Sequence, residues 1–279
     1  MDLIKFKMEP YTLVSKENEG GNITKSIDVF NNIKADFFLQ KLFNNLKTKK
    51  LLNIVKYNKK IKKRINIKIN DYKEYSEKYS SIEIEIKPVK NKYGQFINFK
   101  DEDKKYYHIY FNNHEEEINR NYINENEEIK IIKIIIDYQI KSFEQLFKNC
   151  NCIESIYFKK FYRNNISNMR SMFSSCSSLK ELNLNNFNTD NVTDMAGMFL
   201  ECSSLKELNL NHFNINHVTN MSSMFIGCSS LKELILNNAN TNNVKNMCHM
   251  FNRCSNELIM KIKNQYKNLR EESFGYLNN

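Results

Sequence analysis

The side chains of this 279-residue chain best suited to ligate a metal or act as nucleophiles are its seven cysteines and five histidines. All seven cysteines lie between Cys150 and Cys254. Five of them, Cys150, Cys176, Cys202, Cys228 and Cys254, recur every 26 residues. A disulfide framework scatters its cysteines at unequal spacings. A regular recurrence three residues after a Phe reads instead as a ladder of small buried hydrophobes. Metal ligation is the alternative at Cys248, His249 and Cys254, or at Cys150 and Cys152. Neither group has the paired Cys-x-x-Cys spacing of a zinc site. His108 and His114 have no carboxylate or cysteine at ligand spacing and read as structural. His212 and His217 occupy one repeat loop without copies, and no Gly-x-Ser-x-Gly elbow occurs. No metal, cofactor or enzymatic activity is expected.

Carboxylates share the same period. Glu181, Glu207 and Glu233 are each 26 apart, and so are Asn183, Asn209 and Ile235 in a second column. With Ser155 and Tyr157 at their head, these eight residues form the predicted partner-binding face. On strands about 4.8 Å apart, stacked glutamates repel unless compensated. Lys180, Lys206 and Lys232 are the expected compensators. Such a stripe suits a basic segment or a cation, and the alternative is a copied consensus with neutralised charge.

The repeat that must position these columns runs from about Ile140 to Asn256. Self-similarity at this period marks a stacked-repeat architecture. Leu179, Leu182 and Leu184 form Leu-x-x-Leu-x-Leu, whose alternation predicts a strand with one buried face. Val192, Met195, Met198, Phe199 and Cys202 share one side of a predicted helix, capped by Asn191 or Thr193. Ile129 to Ile136 is predicted as the strand of an N-terminal capping repeat. Leu258 to Ile262 is predicted as a last strand, and Gln265 to Ser273 as a polar closing helix. Phe161, Phe187 and Phe213 form an aromatic spine interrupted by Ala239. Asn185, Asn211, Asn237, Asn188, Asn214 and Asn240 are expected to bond loop backbone between repeats.

Leu-x-x-Leu-x-Leu followed by Asn-x-x-Asn-Val-x-x-Met-x-x-Met-Phe-x-x-Cys-Ser-Ser-Leu resembles the BspA-like leucine-rich repeat family, over about residues 131–256. That family is described largely as surface-exposed repeat proteins, often adhesive or antigenic. The resemblance implies a leucine-rich-repeat solenoid with a binding role, and carries over no catalytic residue.

The N-terminal third differs. Residues 1–100 hold 22 Lys/Arg against 11 Asp/Glu, while the remainder holds 20 against 21. Asp36 is placed to cap a helix bearing Leu39, Leu42, Phe43 and Leu46, and a second helix carries Leu51, Ile54, Val55, Ile61 and Ile65. This pair resembles, loosely, an F-box, which implies that Leu39, Leu42, Phe43 and Leu46 recruit a ubiquitin ligase. The basic run from Lys47 to Lys68 reads as a solvated face, and nucleic acid is disfavoured as a partner. Ile82 to Ile86 alternates as a strand ended by Pro88, and Lys105 to Phe111 is a second strand. No apolar run long enough for a signal peptide lies in Met1 to Gly21, and none approaches the ~18 residues of a membrane span. An intracellular, cytoplasmic protein is expected.

These readings predict an α/β chain. A lead-in (1–25), a small helical hairpin (26–70) and a β-containing region (71–128) precede a leucine-rich-repeat solenoid of parallel strands plus short helices, with its caps (129–279). The expected function is non-enzymatic protein binding, with a ligase adaptor and a surface adhesin as alternatives. The partner's identity and the oligomeric state stay open.

Overall fold

A computed structural model describes residues 77, 79–236 and 241–275, all within one compact unit, Lys73–Asn279. The predicted helical hairpin, with Leu39, Leu42, Phe43 and Leu46, lies outside the described residues. So do the basic run and Ala239.

The core grows from β1 (Ile82–Pro88), where Ile82, Ile84 and Ile86 face inward and the glutamates between them are half-buried. β1 pairs antiparallel with β5 (Ile132–Ile136) on one side and β6 (Ile153–Lys160) on the other. β3 (Tyr107–Phe111) adds antiparallel to β5, and β7 (Glu181–Asn183) adds parallel to β6. The five-stranded order is β3-β5-β1-β6-β7. β2 (Gly94–Gln95) pairs with β4 (Tyr122–Ile123), and β8 (Glu207–Leu210) pairs in parallel with β9 (Glu233–Leu236).

This architecture corrects the expected α/β solenoid. The regular secondary structure of the described residues is mostly sheet, and the largest sheet is mainly antiparallel. β7 and β8 belong to separate sheets, so no continuous parallel sheet runs through the repeats. β5 does not stack beside β6, because β1 stands between them. The only α-helix of this part, among residues 80–275, is Asn256–Gln265, where a strand was expected. Ser255 caps it by accepting a hydrogen bond from the Leu258 N–H, and Leu258 and Ile262 are its buried residues. The predicted closing helix is instead a turn followed by a 3-10 helix, Glu271–Phe274.

The repeat segments expected as helices are chains of tight turns, and their backbone hydrogen bonds explain why. The N–H groups of Met195, Gly197, Phe199 and Glu201 donate to Asn220, Ser222, Met224 and Ile226 in the next repeat, at 2.6–2.9 Å. Those of Met198, Leu200 and Cys202 turn back to the carbonyl three residues earlier, at 3.1–3.2 Å. A helix would send every N–H to the carbonyl four residues back. Here alternate donors leave the coil to pin it to its neighbour. Two residues per coil take left-handed φ to allow this. They are Gln145/Asn149, Ser171/Ser175, Gly197/Glu201, Ser223/Gly227 and His249/Arg253, with φ between 53° and 70°. A left-handed residue every fourth position cannot belong to a right-handed helix.

The side chains repeat the same ladder. Phe147, Phe173, Phe199, Phe225 and Phe251 stack at 5.4–5.6 Å between ring centroids, and Phe274 extends the pile at 5.5 Å. The thiols of Cys176, Cys202, Cys228 and Cys254 donate to the carbonyls of Phe147, Phe173, Phe199 and Phe225, at 2.9–3.1 Å. A small apolar residue with a weak donor fits here better than Ala or Ser. Both ends are closed by side chains or backbone that imitate a further coil. Asn98 donates from its backbone to Leu146 and from its amide to Gln145 and Lys148. At the other end His249 and Phe251 donate to Glu272 and Ser273. The second aromatic column is less regular than expected: Phe187 and Phe213 stack, but Phe161 meets Phe187 edge-on at 85°.

Gly227 tests the turn geometry. Its φ is +70°, and a Cβ there would lie 2.7 Å from the Glu201 carboxyl group, which pairs with Arg253. Gly227→Ala is expected to cost about 1–2 kcal/mol, read as a shift in the urea midpoint. In a Glu201→Ala background the steric part should vanish and the loss shrink.

Candidate functional site

Strand pairing sets the predicted columns side by side. β6 and β7 place Ser155 beside Glu181 and Tyr157 beside Asn183. β8 and β9 place Glu207 beside Glu233 and Asn209 beside Ile235. Leu208 and Leu234 point into the core, so their neighbours point out. Glu181, Asn183, Glu207, Asn209, Glu233 and Ile235 are all exposed. Ser155 is not part of that face, because it is buried between β1 and β7. Tyr157 is half-buried.

The charges are balanced differently from the expected pairing. Lys180 does not serve Glu181 but Glu154, at 3.0 Å, which also holds Lys87 at 2.7 Å. Lys87, then Lys180, keep the Glu154 carboxyl below its usual range. Glu181 instead accepts the Tyr157 hydroxyl at 2.5 Å, which pushes that phenol up. Glu233 pairs with Lys261 of the C-terminal helix at 3.4 Å. Lys261 also pairs with Glu257, and the two carboxylates raise its pKa, Glu257 more strongly. Glu207 has no ion pair or side-chain hydrogen bond among the described residues. Sequence reasoning missed Lys261 because it placed a strand there. The Glu257–Lys261 spacing and the Ser255 cap were the available signals.

The amides rigidify this face. Asn183 and Asn209 accept from the backbone N–H two residues on, both at 3.0 Å. The same turn recurs at Asn168, Asp194, Asn220 and Asn246. Side chains expected to cap a helix bridge coils instead: Asn191 donates to the Asn164 carbonyl and Thr193 to that of Ser167. Of the loop asparagines, Asn186 bonds backbone in the preceding coil, while Asn188 bonds within its own.

The sulfur and imidazole groups do not converge. All seven cysteines are free thiols. Burial pushes Cys176 up to about 12 and Cys152 and Cys254 to about 11, leaving them protonated and unreactive at neutral pH. Cys254 donates to Phe225, and neighbouring His249 is exposed. Among the described residues no three His, Cys, Asp or Glu side chains gather as a metal site requires. His108 does have acidic neighbours: Glu117 at 3.1 Å and Asp137 at 3.6 Å. The fold brings Asp137 from β5's end, which spacing along the chain could not reveal. Among the described residues, no helix is long and apolar enough to cross a membrane.

Comparison with known proteins adds one similarity. No curated protein and no solved structure matches the chain. Residues 141–263, which span the stacked coils and most of the C-terminal helix but none of β1 to β5, are similar to a family described as Mycoplasma protein of unknown function, DUF285.

Proposed function

We propose that this chain is a non-enzymatic protein-binding module that holds its partner on the exposed face of β7, β8 and β9. The carrying observation is the exposed Glu181, Glu207 and Glu233, of which Glu207 and Glu233 stand in register on paired strands, on backbone pinned coil to coil, with Glu207 uncompensated among the described residues. A rigid array loses little entropy on binding. Ile235, 44% exposed, supplies an apolar contact at the end of the second column. A flexible segment bearing lysine or arginine complements this surface. Lys261 models the contact, since its ammonium already sits against Glu233. The resemblance of the repeats to a family with binding roles supports the same reading.

The test is affinity capture with the full-length chain and with a Glu181→Ala, Glu207→Ala, Glu233→Ala variant. The variant should hold the captured partner about tenfold more weakly, from exposed pairs worth up to about 1 kcal/mol each. Binding to the parent should weaken with added salt. Equal capture by parent and variant would remove the column from the binding surface.

A further inference from the structure

We propose that a groove beside Tyr162, separate from the glutamate column, binds a neutral oligosaccharide. The groove has a volume of about 550 Å³, and its lining includes Glu77, Tyr162, Asn186, Asn188, Asp190 and His212. That size lies within the range of small-ligand sites, about 300–1,000 Å³. Tyr162 is 52% exposed, although Phe161 beside it is buried. An aromatic ring left in solvent offers a flat apolar face, and the C–H face of a sugar ring complements it.

The polar groups are held in place with bonding capacity left over. Asn186 donates its amide to the carbonyls of Phe158 and Lys159, which leaves its Oδ1 as an acceptor. The Oδ1 of Asn188 accepts the Asp190 N–H at 2.9 Å, which leaves its NH₂ as a donor. Asp190 accepts the Asn214 amide on one oxygen at 2.9 Å and keeps the other. Donors and acceptors therefore alternate over a short span. A sugar hydroxyl both donates and accepts, so adjacent hydroxyls match this mixture. Among the described residues no Lys or Arg lines the groove, and its two carboxylates, Asp190 and Glu77, oppose an anion.

The experiment is calorimetric titration of the full-length protein with neutral oligomers of glucose, mannose, galactose and N-acetylglucosamine. At least one series should bind at about millimolar concentration or tighter. Tyr162→Ala should weaken it about tenfold with an unchanged urea midpoint, and Tyr162→Phe should retain it. A second arm uses a glycoprotein before and after removal of its glycans. Capture lost on deglycosylation assigns a protein-borne glycan, and binding of free oligomers alone assigns a free saccharide. Absence of binding across the panel and the glycoprotein, equal binding by Tyr162→Ala, or capture that survives deglycosylation with no oligomer bound would overturn the proposal.

Discussion

Replacing Phe199 by Ala is expected to lower stability by about 3–5 kcal/mol. Native domains are stable by only about 5–15 kcal/mol, so this one change should remove a large share. Phe199 is fully buried at the middle of the stack, 5.6 Å from Phe173 and from Phe225. Its removal leaves two rings unsupported and a cavity that neighbouring coils cannot fill, because backbone bonds hold their spacing. Phe274 caps the stack and has one ring neighbour in it, with the Lys263 ammonium 4.5 Å from the centre of its ring. Phe274→Ala should therefore cost less than Phe199→Ala. Urea unfolding measures both. A loss at Phe199 below about 1 kcal/mol would mean the stack contributes little to the core.

Alkali should destabilise the protein steeply, beginning near pH 9. Burial raises the pKa of six thiols. Cys152 and Cys254 are pushed to about 11 and Cys176 to about 12, while Cys150, Cys202 and Cys228 are also well above the thiol range. In the unfolded chain a thiol loses its proton near pH ~8.5. Between that value and the folded pKa the unfolded state binds fewer protons, so stability falls as pH rises. Each thiol removes about 1 kcal/mol per pH unit in this window, and six acting together exceed a typical domain's stability within about two units. Buried Tyr107 acts in the same direction, since burial raises its phenol. Arg163 acts in the opposite one. Burial lowers it to about 10, so the unfolded state keeps the proton longer and stability gains with pH. One group against seven does not reverse the sign. Unfolding free energy measured under reducing conditions from about pH 8 to about pH 10.5 should fall continuously, and Cys202→Ala should reduce the slope by one proton. A flat profile would contradict protonated, buried thiols.

The periodic features were legible along the chain because each residue is tested again 26 positions later. Phe147 to Phe251 and Cys150 to Cys254 stand in columns, and the outward residues at Glu181, Glu207 and Glu233 are exposed. The tight turns were not legible, because the spacing of Val192, Met195, Met198 and Phe199 that suits them also suits one side of a helix. The difference lies in where the Gly197 and Phe199 N–H groups go, and side-chain pattern carries no record of that. Position within a sheet was hidden for a similar reason. Alternation in Ile82–Ile86 announced a strand, but not that it would separate β5 from β6 and bury Ser155. Lys180 and Glu181 are neighbours in sequence, yet the partner of Lys180 is Glu154, one coil away. Arg163 gave no signal at all. It is fully buried, donating to the carbonyls of Asp137 and Ile140, and nothing in its local sequence marks it as a core residue.

The account rests on coils pinned to one another by backbone bonds, so that their exposed columns form one fixed surface. The backbone φ of Ser171, Ser175, Glu201 and Ser223, from NMR couplings and chemical shifts, tests this most directly. Positive values at all four, as at 53–60° here, are predicted, because only that conformation lets alternate N–H groups reach the next coil. Negative, helical values at these positions would contradict the account, since the same segments would then bond within themselves and leave the coils free to move apart.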